Sequence, residues 1–116
     1  MKQPDLFDGD ALPVTKIEPV EIDIQSACVG HARGLGAYAR KFSSPANRSV
    51  PDYVITLRGE TWYVEFKRPG GKPTEAQAKE HALIRAAGGT VWVIDDVEDF
   101  KNHLFLFYRT LVLPKQ

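Results

Sequence analysis

The chain has 116 residues, 43% of them apolar, which is enough for one ordinary core and leaves no room for a second domain. Fifteen basic residues balance fifteen acidic ones, so the formal net charge is zero and the protein is not a uniformly basic coat for nucleic acid. No stretch is apolar for long enough to span a bilayer, no basic-then-apolar leader opens the chain, and the single Cys28 permits no internal disulfide, so a cytoplasmic, reducing setting is expected.

In chain order, Met1 to about Pro19 is polar, proline-containing and aperiodic, and reads as a mobile tail preceding one domain over 20–116. From about Val20 to Leu35, the residues Ile24, Ala27, Cys28, His31 and Leu35 recur at helical spacing, and Gly34 and Gly36 end the helix. A strand at Ala37 to Phe42 and a loop with Pro45 and Asn47 follow. Next, Tyr53–Leu57 and Thr61–Phe66 are rich in β-branched and aromatic residues on either side of a glycine, which predicts a β-hairpin. Thr74 to Ala87 reads as a second helix stopped by Gly88-Gly89, Thr90 to Ile94 as a buried strand, and Asp95 or Asp96 as the cap of a last helix from about Val97. The apolar run Phe105-Leu106-Phe107-Tyr108, then Leu111-Val112-Leu113, is expected to finish the core or to bury against a second copy in a homodimer. The order is helix, three antiparallel strands, helix, strand, helix, an α/β arrangement with a mixed sheet flanked by helices.

The hairpin carries the chemistry. With Gly59-Glu60 as a two-residue turn, Asp52, Glu65 and Lys67 share one face, Asp52 diagonal to Glu65, while Tyr53, Ile55, Leu57, Trp62, Val64 and Phe66 share the other. By charge alone this is an amphipathic hairpin with a solvated wet face. The loop that follows, Arg68-Pro69-Gly70-Gly71-Lys72-Pro73, shifts the balance, because a basic, glycine-rich turn into a helix start suits a phosphate. The charge distribution agrees: residues 1–24 carry two positive and six negative charges, whereas residues 37–73 carry seven positive and three negative. Thr74-Glu75-Ala76-Gln77 fits a capping box. His81, one turn on, reads as a surface or half-buried helix residue. His31, His81 and His103 have no zinc spacing.

The segment from Pro51 to Asp99 resembles the virus-type replication-repair nuclease (VRR-NUC) domain, a branch of the PD-(D/E)xK phosphodiesterases. The likeness rests on Pro51-Asp52, Glu65-Phe66-Lys67, the Gly-x-x-x-Thr-x-x-Gln run from Gly70 to Gln77 and the Gly88-Gly89-x-Val91-x-Val93 strand, and extends upstream to about residue 20. The resemblance implies a restriction-endonuclease-like core and a Mg²⁺- or Mn²⁺-dependent DNA endonuclease acting on branched DNA such as junctions or flaps. It implies that Asp52 and Glu65 hold the metal, with the Phe66 carbonyl as a further ligand. Lys67 would stabilise charge or orient water, and Gln77 would point into the cleft. Arg40, Lys41, Arg48, Arg68 and Lys72 would meet phosphates. The family's helix-1 carboxylate falls on Gln25 here, a departure that leaves Gln25 or Glu21, one turn earlier, as the substitute. A catalytically impaired DNA-binding module is the alternative, and an RNA-directed nuclease a third reading. In the tail, Gln3-Pro4-Asp5-Leu6-Phe7 resembles the short peptide with which bacterial replication proteins dock on the sliding clamp.

Overall fold

A computed structural model describes residues 20–112; the expected tail, with its Gln3–Phe7 peptide, lies outside the described residues. Seven elements follow one another: α1 (Glu21–Gly34), β1 (Tyr38–Lys41), β2 (Tyr53–Leu57), β3 (Glu60–Phe66), α2 (Glu75–Ala86), β4 (Val91–Ile94) and α3 (Val97–Val112). The four strands form one sheet in the order β1-β2-β3-β4. Its first two pairings are antiparallel and its last is parallel, so the expected order and mixed sheet are both present. Among the described residues, no helix is long and apolar enough to cross a membrane.

The hairpin turn differs from the expected one. Leu57 pairs with Glu60, leaving Arg58 and Gly59 as the two turn residues, both in the left-handed region at φ 53° and 87°. Two consecutive left-handed residues match the right-handed twist of the strands, and in such turns glycine serves at the second position. The register therefore slips by two residues, an even number, and each side chain keeps its predicted face. Continuing the ladder one step beyond Tyr53↔Val64 puts Asp52 directly across from Glu65 instead of diagonal to it.

One face of the sheet makes the core. Ile55, Leu57, Trp62, Val64 and Phe66 pack there against Ile24, Cys28 and Ala32 of α1 and against Phe100 and Leu104 of α3. The buried α1 residues fall four apart, so one stripe of the helix is enough. Asp96 accepts the Asp99 N–H at 2.9 Å and caps α3, as read from the sequence. Leu104, just before the terminal apolar run, completes the core, whereas Phe105 and Leu106, the first residues of that run, are exposed. On the opposite face α2 packs against β4 and reaches Glu65 of β3 through Gln77 and His81, the latter being its one buried side chain. Among the described residues, no helix lies over the half of that face formed by β1 and β2.

Candidate active site

Asp52 stands just before β2, after the buried Pro51, and its Oδ2 accepts the Phe66 N–H at 2.7 Å. The side chain thereby takes a main-chain donor just past the last β2–β3 pair and is held across from Glu65. Glu65 is 1% exposed. Its Oε2 accepts from Gln77 Nε2 at 3.2 Å and lies 3.5 Å from Lys67 Nζ, whereas its Oε1 has no hydrogen-bond partner. Burial, reinforced by the Asp52 charge, pushes the Glu65 carboxyl up to about 7 against the opposing pull of Lys67.

His81 closes the back of the site. It is 1% exposed rather than on the surface, and its Nε2 lies 3.5 Å from Glu65 Oε1. Burial, then the Arg85 and Lys67 cations, holds its pKa below the ordinary imidazole value. A neutral ring at 3.5 Å makes neither an ion pair nor a hydrogen bond, so Glu65 Oε1 and His81 Nε2 are both buried and unsatisfied. Each such group costs on the order of 1–3 kcal/mol.

Gln77 caps α2 and points at Glu65 and Lys67 in one conformation. Its backbone N–H bonds Thr74 Oγ1 at 3.1 Å and its Oε1 accepts the Thr74 N–H at 2.9 Å, completing the capping box. The same Oε1 accepts from Lys67 Nζ at 2.8 Å while Nε2 reaches Glu65. The basic loop is anchored too: Gly70 donates its N–H to Asp95 Oδ2 at 2.9 Å. A Cβ on Gly71 would sit 3.0 Å from the Arg68 carbonyl and 3.2 Å from Lys67 Cβ, so a larger residue would have to push the loop back by a few tenths of an ångström.

The buried, donorless Glu65 Oε1, opposite a second carboxylate, fits a hard divalent cation. Asp52 and Glu65 could hold one, with the Phe66 backbone tied to Asp52 beside them. On α1, Gln25 is nearly buried and makes no side-chain hydrogen bond to a described residue. Glu21 is exposed, yet its charge adds to the upward shift of Glu65. Among the described residues, no three His, Cys, Asp or Glu side chains gather closely enough to hold an ion by themselves. A cation held there could draw on main-chain, amide or water oxygens as well.

The five expected phosphate contacts separate. Arg48 lines a recess of about 370 Å³ with Phe42, Ser43, Ser44, Pro45, Val50 and Asp52. Arg40, level with Val54, is on the site face; Arg68 and Lys72 are on the exposed loop. Lys41 pairs with Tyr53, stands on the opposite face and rests 5.5 Å from the centre of the Tyr53 ring, so the structure does not bring it to the site. Two residues that sequence reasoning missed are His81 and Asp95. His81 was within reach of a simple rule, since four residues after Gln77 is the same helical face.

A mixed four-stranded sheet with two carboxylates, a lysine and a helix-borne glutamine converging at the end of its hairpin defines a PD-(D/E)xK-type nuclease domain. No protein-family model matches the chain. A phage protein named "Putative nuclease p44", from Acyrthosiphon pisum secondary endosymbiont phage 1, is 43% identical over 76 residues, spanning 65% of this chain and 82% of that protein. A solved structure described as a VRR_NUC domain shares the fold with a TM-score of 0.68 and 29% identity, over 72% of this chain and 92% of its own. The chain belongs to the VRR-NUC nuclease family.

Proposed function

We propose that this nuclease is a Mg²⁺- or Mn²⁺-dependent DNA endonuclease that hydrolyses phosphodiester bonds in branched or otherwise structured DNA. The observation that carries the reading is the buried Glu65 carboxylate, with Oε1 lacking any donor and Oε2 held by Gln77 and Lys67. A divalent ion, when bound, supplies Lewis acidity toward the phosphate oxygens and acidifies water. Asp52 and Glu65 hold it, the Phe66 carbonyl joins them, and Gln25 or Glu21 contributes from α1. Lys67, fixed by its 2.8 Å bond to Gln77, presents a cation where negative charge grows as water attacks phosphorus and a P–O ester bond breaks. Burial of Glu65 and His81 keeps bulk water from screening that charge.

One observation favours the second reading, a DNA-binding module with impaired catalysis: Gln25 stands where the family has a carboxylate, and no third acidic group replaces it in the immediate cluster. Incubating the protein with labelled linear, flap and four-way DNA, with and without Mn²⁺, separates the two. Metal-dependent cleavage supports the nuclease reading, and binding without cleavage at any metal concentration supports the module. Gln25→Glu is expected to raise Mg²⁺-supported cleavage if Gln25 is the weak ligand; if Glu21 fills the role, Glu21→Gln is the damaging variant instead.

Two partner readings accompany the proposal: a homodimer, tested by sedimentation, and clamp docking through Gln3–Phe7, tested with a Met1–Asp10 peptide whose binding should vanish when Leu6 and Phe7 become Ala.

A further inference from the structure

Among the described residues, no helix covers the half-sheet beside the active site, and its residues are unusual for a bare surface. Alternation along β1 puts Tyr38 and Arg40 level with Thr56 and Val54, on the face that carries Asp52 and Glu65. Phe42 continues the stripe: its N–H bonds the Asp52 carbonyl at 2.8 Å, and its ring lies 5.6 Å from that of Tyr63. The Arg40 guanidinium lies 4.5 Å from the centre of the Tyr38 ring, and Arg40 Nη1 donates to the Ala39 carbonyl at 2.9 Å. Tyr38 is nevertheless 59% exposed. An edge strand guarded only against aggregation needs charge, not an aromatic ring left in water.

We propose that Tyr38, Arg40 and Phe42 form a stacking platform for an unpaired stretch of the substrate strand, leading into the Asp52–Glu65 site. The inference rests on the nuclease reading and narrows its substrate to DNA with single-stranded character next to the cleavage point. Two features identify the occupant. The stripe is continuous with Asp52 through Phe42, and by strand rise Tyr38 lies about 13 Å from Phe42, so a strand whose phosphate reaches Asp52 passes over both rings. A ring backed by a guanidinium offers a π-face and a cation together, which suits a base and its phosphate. A duplex keeps its base faces stacked internally and presents phosphates and groove edges, so it gains nothing from Tyr38.

The test is equilibrium binding in EDTA, where no cleavage occurs, of a short fluorescent single strand and of a duplex of equal length. Tyr38→Ala is expected to weaken single-strand binding about tenfold and Tyr38→Phe to stay within about twofold of wild type, since the ring and not the hydroxyl does the stacking. Duplex affinity stays unchanged in both. Circular dichroism checks that the variants fold. The proposal is overturned if the wild type does not bind the single strand, if Tyr38→Ala leaves that affinity intact, or if duplex binding falls equally. Because the measurement needs no metal and no turnover, it stands or falls separately from cleavage.

Discussion

The two faces of the one sheet handle burial in opposite ways. On the core face, Ile55, Val64 and Phe66 are wholly buried among apolar neighbours, and the Phe66 ring lies 6.2 Å from Phe100 and 6.1 Å from Tyr53. Burial there stabilises the fold by about 25 cal/mol per Å² of apolar surface. On the site face, Glu65 and His81 are buried just as deeply, and each keeps a polar atom without a partner. Burial there costs free energy, and the core face offsets it. Adjacent residues on one strand, Glu65 and Phe66, therefore have opposite effects on stability. A site that binds a cation is assembled at the expense of the apo protein and is stabilised when the ion arrives.

The sharpest way to break this comparison is Glu65→Gln, which keeps the shape and removes the charge. Cleavage should be abolished while the denaturation midpoint holds or rises; near-normal cleavage would rule out the site. On the other face, Phe66→Ala should cost about 3–5 kcal/mol in denaturant unfolding, a large share of the stability of a small domain. A loss below about 1 kcal/mol would show that the core does not depend on this ring.

The pH profile refines the contrast. Glu65 titrates near 7 in the folded chain against a usual 4.5, so between those values the native state holds a proton that the unfolded chain has released. The stabilisation is complete below pH 4.5 and is lost as pH rises through 7, amounting to roughly 3 kcal/mol. His81 acts in the other sense: its lowered pKa costs stability as pH falls below the ordinary imidazole value. Melting curves of the wild type and Glu65→Gln should therefore diverge with rising pH, the variant being the more stable near neutrality, and Mn²⁺ should raise the melting temperature of the wild type alone. Parallel profiles would mean that Glu65 does not titrate in this range. The smallest effect belongs to Thr74→Ala, expected to cost about 1 kcal/mol through loss of the cap, with a modest fall in rate as Gln77 loosens.

Much of this arrangement was legible in the sequence, because the faces of a hairpin depend only on whether the turn has an even number of residues. Placing the turn at Gly59-Glu60 instead of Arg58-Gly59 moved the register by two, and Asp52, Glu65 and Lys67 still emerged together. The core side of α1 was readable in part: Ile24 and Cys28 are buried as their spacing implies, but Ala27 and Leu35 are exposed, and Val29 and Ala32 are buried instead. What stayed hidden depends on tertiary contact. The spacing from Gln77 puts His81 on the same helical face, but only the packing of α2 shows that this face is buried onto Glu65. No pattern in Asp95-Asp96 says that the first ties down the Gly70 loop while the second caps α3. Lys41 looked equivalent to Arg40 because adjacent basic residues read as a patch until a strand sends them to opposite faces.

The side-chain amide of Gln77 is engaged at both ends: its oxygen by the Thr74 N–H and the Lys67 ammonium, its nitrogen through one N–H to Glu65. At the third position of a helix, Gln and Glu are ordinarily interchangeable in a capping box. Here they are not, because Glu would set a third carboxylate where Gln77 Nε2 now lies, 3.2 Å from Glu65. The chemistry next door thereby favours Gln over Glu at this position, although the helix itself would accept either. A sequence carrying Glu here would still read as a well-capped helix, and the damage would be visible only in the site.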